Sequence, residues 1–356
     1  MEKLLNIKKE EIGEMVKLSA KKATKLSSFL ACTILFFLCF GFKSRHNQQE
    51  YQLHGYAQGT TYHISYYHSK ALVTKNQIDS IITAIDSALS IYKDYSLITA
   101  FNHTSIGVKM DLHLQTVVEK SIAISKESKG AFDITVYPLV NAWGFGLSKP
   151  NQPPTAAEIK TLLQNVGYQH LKIEGQQLLK LKPAIQIDVN GIAQGYTVDV
   201  IASFLEQNGL HNYLAELGGE LRVKGRKAEN QLFKIGIEAV NDTDVTPIKK
   251  YIEISSGAIT TSGNYRKFTE WNAVRVNHII NPKTGYYQKN DLISVTVYAP
   301  TGITADGYDN LLMNLGLKNA LRFLAKKKEI SAYFVYQQNG IVKDTCSVGF
   351  PIIKEF

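Results

Sequence analysis

The segment Ile187 to Asp199, IDVNGIAQGYTVD, constrains this chain most. Ile185, Ile187 and Val189 alternate as on a strand, and Leu178–Val189 as a whole reads as one. A Gly-containing turn at Gly191 then leads into a helical pattern from about Ala193 to Gln207, closed by Gly209. The first N–H groups of such a helix lack intrahelical partners and carry a partial positive charge, a setting that suits a phosphate. Gly191 and Gly195 would let a ligand approach the backbone closely, although a tight strand-to-helix turn would by itself require glycine.

Strand and helix patterns alternate irregularly around this junction. Tyr51–Tyr67 reads as two short strands with a tight turn, around Gly55 and Gly59. Helices are predicted over about 76–90, from Leu114 to about Lys129, and after Pro153-Pro154, where Thr155 and Glu158 form a capping box. Strands are predicted at Leu221–Val223, Phe233–Glu238, Ile252–Ser255, Ala258–Thr261, Ala273–Ile280, Ile293–Tyr298, Ser331–Tyr336 and Ile341–Lys343, with helices over about 305–314 and 318–327. The class is α+β. No linker interrupts residues 51–356, which are read as one domain behind a separate segment, 1–50.

That first segment is read as an address. A Lys-rich leader precedes the apolar run Phe29–Phe42, which has the length of a signal-peptide core and is short for a full membrane span. The basic flank directs the body out of the cytoplasm, to the periplasmic face of the membrane. An uncleaved anchor, a cleaved signal peptide and a lipoprotein on Cys39 or Cys32 all remain open; the anchor is preferred to cleavage, and neither cysteine sits in a lipoprotein box. Only Cys346 belongs to the body, so neither a disulfide framework nor a cysteine metal cluster is available. The net charge is +9, of which residues 1–50 hold nine Lys/Arg against five Glu, leaving +5 for the body. Without a dense basic stripe there is no reading as a nucleic-acid binder; a mild positive balance suits an anionic small molecule.

Several further segments carry chemistry. In Thr304–Asn310 a helix would put Asp306 and Asn310 on one face, where two oxygen side chains can hold Mg²⁺ with substrate phosphate and water; Asp309 is the alternative ligand. The same acidic turn could merely complement a helix dipole. His278 stands near a strand end ahead of Asn281-Pro282-Lys283-Thr284-Gly285. Thr260–Tyr265 is a small polar turn after a β run, and Gly218-Gly219 follow a strand. The aromatic, glycine-rich stretch Gly130–Gly146 would line a flat ring or pack a core.

In this order these pieces resemble the ApbE family of FAD:protein FMN transferases. Gly59-Thr60, Ser96 with Phe101-Asn102, Phe132–Thr135 with Trp143–Phe145, Ile187–Asp199, Gly218-Gly219, Ser262-Gly263 with Tyr265, His278 to Gly285, and Ala305-Asp306 carry the likeness, from about Tyr51 to Gly316. The resemblance implies an α+β fold with FAD in a cleft between two halves, and Mg²⁺ on its pyrophosphate. It implies that a Thr or Ser hydroxyl of a target flavoprotein attacks the FMN phosphorus while AMP leaves, and that the target is an electron-transfer subunit of a membrane redox complex. Carried over by position, Asp306, Asn310 and the Ala193 carbonyl would hold the metal, and His278 would deprotonate the acceptor. Gly191, Gly195, Tyr196, Asp199, Gly218, Gly219, Ser262 and Gly263 would line FAD, with Asp133, Thr135 and Trp143 shaping its wall.

Three positions depart from the family pattern. Gln194 stands where Lys is usual, Asn310 where Thr is usual, and Gln58 where Met commonly precedes the Gly-Thr pair. Asn keeps an oxygen ligand, whereas Gln194 removes a positive charge. Two rival functions share the same site: an FAD pyrophosphatase, in which water attacks, and an FAD-binding protein without turnover.

Overall fold

A two-residue turn sets the first register of the body. Gln58 and Gly59 both have positive φ, +51° and +76°, and they join β1 (Gln49–Ala57) to β2 (Thr60–His68) as a hairpin. This computed structural model describes residues 1, 13–19, 21, 48–237, 250–264, 268–271 and 274–355. The apolar run Phe29–Phe42, Tyr265, Ala273 and Glu238 lie outside the described residues. The chain separates into two compact units, Met1–Asn47 and Gln48–Phe356. In the first, residues 13–19 are helical. Among the described residues no helix is long and apolar enough to cross a membrane.

After β2 the chain runs through α1 (Lys75–Leu89), α2 (Leu97–His103), β3 (Gly107–Lys109), α3 (Leu112–Glu127), α4 (Tyr137–Ala142), α5 (Ala156–Leu163), β4 (Leu171–Glu174), β5 (Gln177–Lys180) and α6 (Ala193–Gln207). It returns as β6 (Tyr213–Leu217), which pairs directly with β2. There follow β7 (Glu220–Lys224), β8 (Phe233–Ile237), β9 (Lys250–Ile254), β10 (Ser256–Gly263), β11 (Phe268–Trp271), β12 (Val274–Asn277), β13 (Leu292–Ala299), α7 (Gly302–Leu324), β14 (Ser331–Gln338), β15 (Ile341–Cys346) and β16 (Lys354–Glu355). The main sheet has the order β1-β2-β6-β7-β10-β13-β14-β15, with every neighbour antiparallel.

Alternation along these strands buries the helix-facing side of the sheet and, over its β7–β14 part, the other side as well. Tyr62, Ile64, Tyr213, Ala215, Val295, Val297 and Phe334 face the helices, packing against residues such as Ile78, Ile82, Val198, Ile201, Leu311 and Leu312. Val223, Ile259, Tyr333 and Val335 face the other way, onto Phe233, Ile235, Ile252 and Ile254 of the small β16-β9-β8 sheet. The result is an α+β architecture of three layers, with satellite sheets β11-β12 and β3-β5-β4.

The predicted helix at Ala193–Gln207 and the capping box at Thr155 and Glu158 are both present. The two helices predicted after Thr304 are α7, broken at Gly316, where φ is +71°. One strand is shorter than predicted. Of Leu178–Val189 only the first residues belong to β5, because Pro183 has no N–H and the chain beyond it bonds elsewhere. Ile187 exchanges backbone bonds with the Asn102 side chain (2.8 and 2.9 Å), and Asp188 N–H donates to Ile134 C=O (2.8 Å).

Helices α6 and α7 cross in backbone contact. A Cβ on Gly195 would lie 2.3 Å from the Gly302 carbonyl oxygen, and one on Gly302 would lie 2.3 Å from that of Gly195. We expect Gly195→Ala to destabilise the protein by at least about 2 kcal/mol in urea unfolding, since two helix backbones must separate. Gly209→Asn, at an open helix end with φ +78°, should cost less than about 1 kcal/mol. Equal losses would mean that the crossing is not tightly packed.

Candidate active site

Strand direction collects several loops at one end of the sheet. The β1–β2 turn, the β6–β7 turn at Gly218 and Gly219, and the last residues of β10, Ser262 and Gly263, share that end, because Tyr62 pairs with Leu217 and Leu221 with Ile259. They close on one another. A Cβ on Gly218 would stand 2.9 Å from Thr60 Cγ2, 3.1 Å from Gln194 Nε2 and 3.2 Å from Glu220 Oε2, and its φ of +66° itself requires glycine. The Gly-Thr turn, the Gly-Gly turn and the start of α6 are therefore in mutual contact.

The two crossing helices exchange caps. The residue ahead of α6, Ile192, has no capping side chain; instead the Gly195 N–H donates to Asp306 Oδ2 of α7 at 2.8 Å. One of the N–H groups that the sequence offered to a phosphate is thus already engaged. In return, Asp199 of α6 accepts the first N–H groups of α7, from Gly302 (2.7 Å) and Ile303 (2.9 Å), with Arg222 Nε 3.4 Å from its Oδ1. Each carboxylate does for the neighbouring helix what an N-cap side chain does locally.

Asp306 and Asn310 share a face of α7, as their spacing predicts. The Asn310 amide nitrogen lies within 2.9 to 3.4 Å of Asp309 Oδ1, the Gly191 carbonyl and the Asp306 carbonyl, while Asn310 Oδ1 is 3.4 Å from Ser262 Oγ. The Ala193 carbonyl accepts the Thr197 hydroxyl at 2.8 Å, and Gln58 Nε2 reaches that hydroxyl (3.2 Å) as well as Asp86 (3.0 Å). Gly191, Ala193, Gly195, Ser262, Asp306 and Asn310 are therefore linked in one cluster, with Gly218 and Gln194 alongside. The Gln58 link was not legible from sequence beyond its being an unusual residue before Gly59.

Other expected site residues act from behind or to one side. Asp133 places Oδ1 on the Thr135 N–H (2.9 Å) and hydroxyl (2.7 Å) and Oδ2 on the Tyr168 N–H (2.7 Å), so it clamps two loops together. The Tyr196 hydroxyl lies 2.8 Å from His113 Nδ1 of α3. Asp199 serves as the cap described above. His278 follows β12, with its ring 6.3 Å from that of Phe145. Trp143, on the same aromatic stretch as Phe145, donates its indole N–H to the Gly285 carbonyl (2.8 Å), so Gly130–Gly146 and His278–Gly285 form one wall.

The electrostatics of the cluster are those of buried acids. Burial pushes the Asp306 carboxyl above the usual carboxylate range, against the Gly195 N–H, which favours the charged form. Asp309, 1% exposed, is pushed well above it, first by burial and then by the Asp306 charge, with Glu220 adding to the effect. A donor set of carboxylate, amide oxygen and backbone carbonyl is hard and fits Mg²⁺, which the raised acids would bind by giving up their protons. Among the described residues no three His, Cys, Asp or Glu side chains are grouped as a metal site.

The chain is similar to known proteins over most of its length. Residues 58–334 match the model of the ApbE family. The chain is 35% identical over 311 residues to the FAD:protein FMN transferase of Vibrio cholerae, covering 85% of this chain and 92% of that protein. It is 34% identical to that of Haemophilus influenzae, covering 83% and 89%. The solved flavin transferase ApbE of V. cholerae superimposes with a TM-score of 0.78 at 34% identity, over 85% of this chain and 98% of that one. The apo flavinyl transferase ApbE of Pseudomonas stutzeri gives 0.77 at 32%, over 85% and 96%.

The raised acids carry a sign that can be measured. A carboxyl whose affinity for a proton is raised by folding stabilises the native state below its unfolded pKa of about 4, and that contribution is lost as pH rises through the folded value. Without divalent cations, stability should therefore fall from about pH 4 to about pH 7 on account of Asp306, which burial pushes up to about 7, and Asp309→Asn should raise the melting temperature most at the upper end. Calorimetry across that range checks it; an equal shift at both ends would mean that Asp309 is not titrating.

Proposed function

Because this chain belongs to the ApbE family, we propose that it works as an FAD:protein FMN transferase that uses Mg²⁺ to move FMN from FAD onto a Thr or Ser hydroxyl of a target flavoprotein, releasing AMP. The observation that carries this is the seating of Asp306 and Asn310 of α7 against Gly191 and the start of α6, with the Gly218-Gly219 turn alongside. Glycine backbone and hard oxygen donors in one place suit a pyrophosphate.

In this reading the acceptor oxygen attacks the phosphorus of the FMN half. The bond from that phosphorus to the bridging oxygen breaks, and the bridging oxygen leaves with AMP. His278 takes the hydroxyl proton, a task that suits a neutral imidazole near pH 7. Asp306, Asn310 Oδ1 and the Ala193 carbonyl hold Mg²⁺, which when bound offsets charge developing on the phosphoryl oxygens. Gly191, Gly218, Gly219, Ser262 and Gly263 admit the flavin nucleotide close to the backbone, whereas Gly195, expected to line it, packs against α7 instead. Tyr196 ties α6 to α3 and Asp199 ties it to α7 behind the nucleotide, and Asp133 holds the far wall. Gln194 adds no charge, so neutralisation of the phosphates falls to the metal and the backbone amides. The basic leader ahead of Phe29–Phe42 supports export, with the body at the periplasmic face of the membrane and a membrane redox-complex subunit as the acceptor.

The test combines the protein, FAD, Mg²⁺ and an acceptor domain, and reads flavin fluorescence on a denaturing gel together with AMP in solution. A fluorescent acceptor with matching AMP is expected; AMP with free FMN and no labelled acceptor would point to the pyrophosphatase instead. Asp306→Asn retains an acceptor for the Gly195 N–H but not the charge, so it should lose Mg²⁺-dependent turnover while staying folded. His278→Ala should slow transfer by about 100-fold or more with FAD still bound. Full activity in Asp306→Asn would remove the metal assignment.

A further inference from the structure

The face of the main sheet opposite the helices carries a histidine pair that flavin transfer does not use. His54 on β1 and His63 on β2 are direct cross-strand partners and both are exposed; Glu216 on β6 is the next partner of His63 in the same row. Cross-strand partners project from one face of a sheet.

The type of pair decides how near they stand. A two-residue turn with positive φ at Gln58 and Gly59 makes Ala57 and Thr60 a hydrogen-bonded pair. Alternation from there makes His54 and His63 a non-hydrogen-bonded pair, the kind whose side chains lie closest. The Gly218 N–H bond to the Thr61 carbonyl (3.0 Å) agrees, because it turns the Thr61 backbone, and at a period of two that of His63, toward β6. The ring centroids are 6.1 Å apart and tilted by 37°.

We infer that His54 and His63 form a two-imidazole site for a divalent transition metal such as Zn²⁺, Ni²⁺ or Cu²⁺, which Glu216, held by the Gly219 N–H and not grouped with the pair, joins only by leaving that bond. Imidazole selects these ions, whereas Mg²⁺ prefers the all-oxygen set around Asp306, so the two kinds of cation sort by ligand chemistry. Both rings are exposed on the sheet surface and so open to an ion from solvent. Glu216 connects this face to the other site. Its Oε1 accepts the Gly219 N–H at 2.8 Å, so a metal that draws Glu216 outward releases that N–H and loosens the Gly218-Gly219 turn. A bound transition metal therefore slows flavin transfer, a consequence that rests on the proposed function, whereas the binding itself does not.

Calorimetric titration of the full chain with Ni²⁺, in excess Mg²⁺, tests the binding. One equivalent should bind, and His54→Gln and His63→Gln should each weaken it by about tenfold or more, as expected when a chelate loses one arm. With Cu²⁺ the electron paramagnetic resonance spectrum should show two nitrogen ligands in the native chain and fewer in either variant. No binding, or binding that both variants retain, overturns the site. In the flavinylation assay Ni²⁺ should slow the native chain and leave His63→Gln unaffected. Slowing of both alike, or of neither while nickel binds, overturns the connection through Glu216. A chain that transfers no flavin leaves the calorimetric result intact and bears on the proposed function alone.

Discussion

The crossing of α6 and α7 is the constraint on which the rest of the site depends. Two glycines, Gly195 and Gly302, bring the helix backbones into contact, and at that distance each helix can supply a carboxylate to the other's open end. An isolated helix N-terminus leaves N–H groups unsatisfied, and burial would make that costly. Here Asp306 and Asp199 satisfy them reciprocally, so neither helix is capped correctly unless both are in place. The cluster of Asp306, Asn310, Ala193 and Gly191 follows from that one contact.

The antiparallel sheet supplies the other half of the arrangement. Because β1-β2, β6-β7 and β10 alternate in direction, their Gly-containing ends fall side by side next to the α6 start. The sheet is covered by helices on one face and, over β7, β10 and β14, by β8 and β9 on the other, while the outer face of β1 and β2 stays exposed at His54 and His63. The acids inside are destabilising as charges, and an apolar or amide side chain at Asp309 would pack there at lower electrostatic cost.

Much of the fold was legible locally. The alternation of Tyr62, Ile64 and Tyr66 and the spacing of Ile78, Ile82 and Ile85 state their element and buried face directly, as does the Thr155 capping box. The segment after Pro183 misled because its alternation is real but its partners are not strands: Asn102 and Ile134 take the backbone bonds that a neighbouring strand would have taken. Short elements such as α2, β3 and β4 left little periodicity to read. Among site residues, Asp306 and Asn310 were readable from their spacing of four on a helix, whereas the caps formed by Asp199 and Asp306 join residues more than a hundred positions apart and have no local signature.

By itself, then, the sequence determined the α+β class, the helix start at Ala193 behind Gly191, the helix faces, and the family to which the ordered motifs belong, because each of these is written in the chemistry of neighbours along the chain. Only the tertiary structure decided which carboxylate caps which helix, that Gly218 sits against Thr60 and Gln194, that Asp309 is buried beside Asp306, and that His54 faces His63 across a narrow pair. Those are relations between distant segments. They depend on sheet register and helix crossing, which arise when the chain packs.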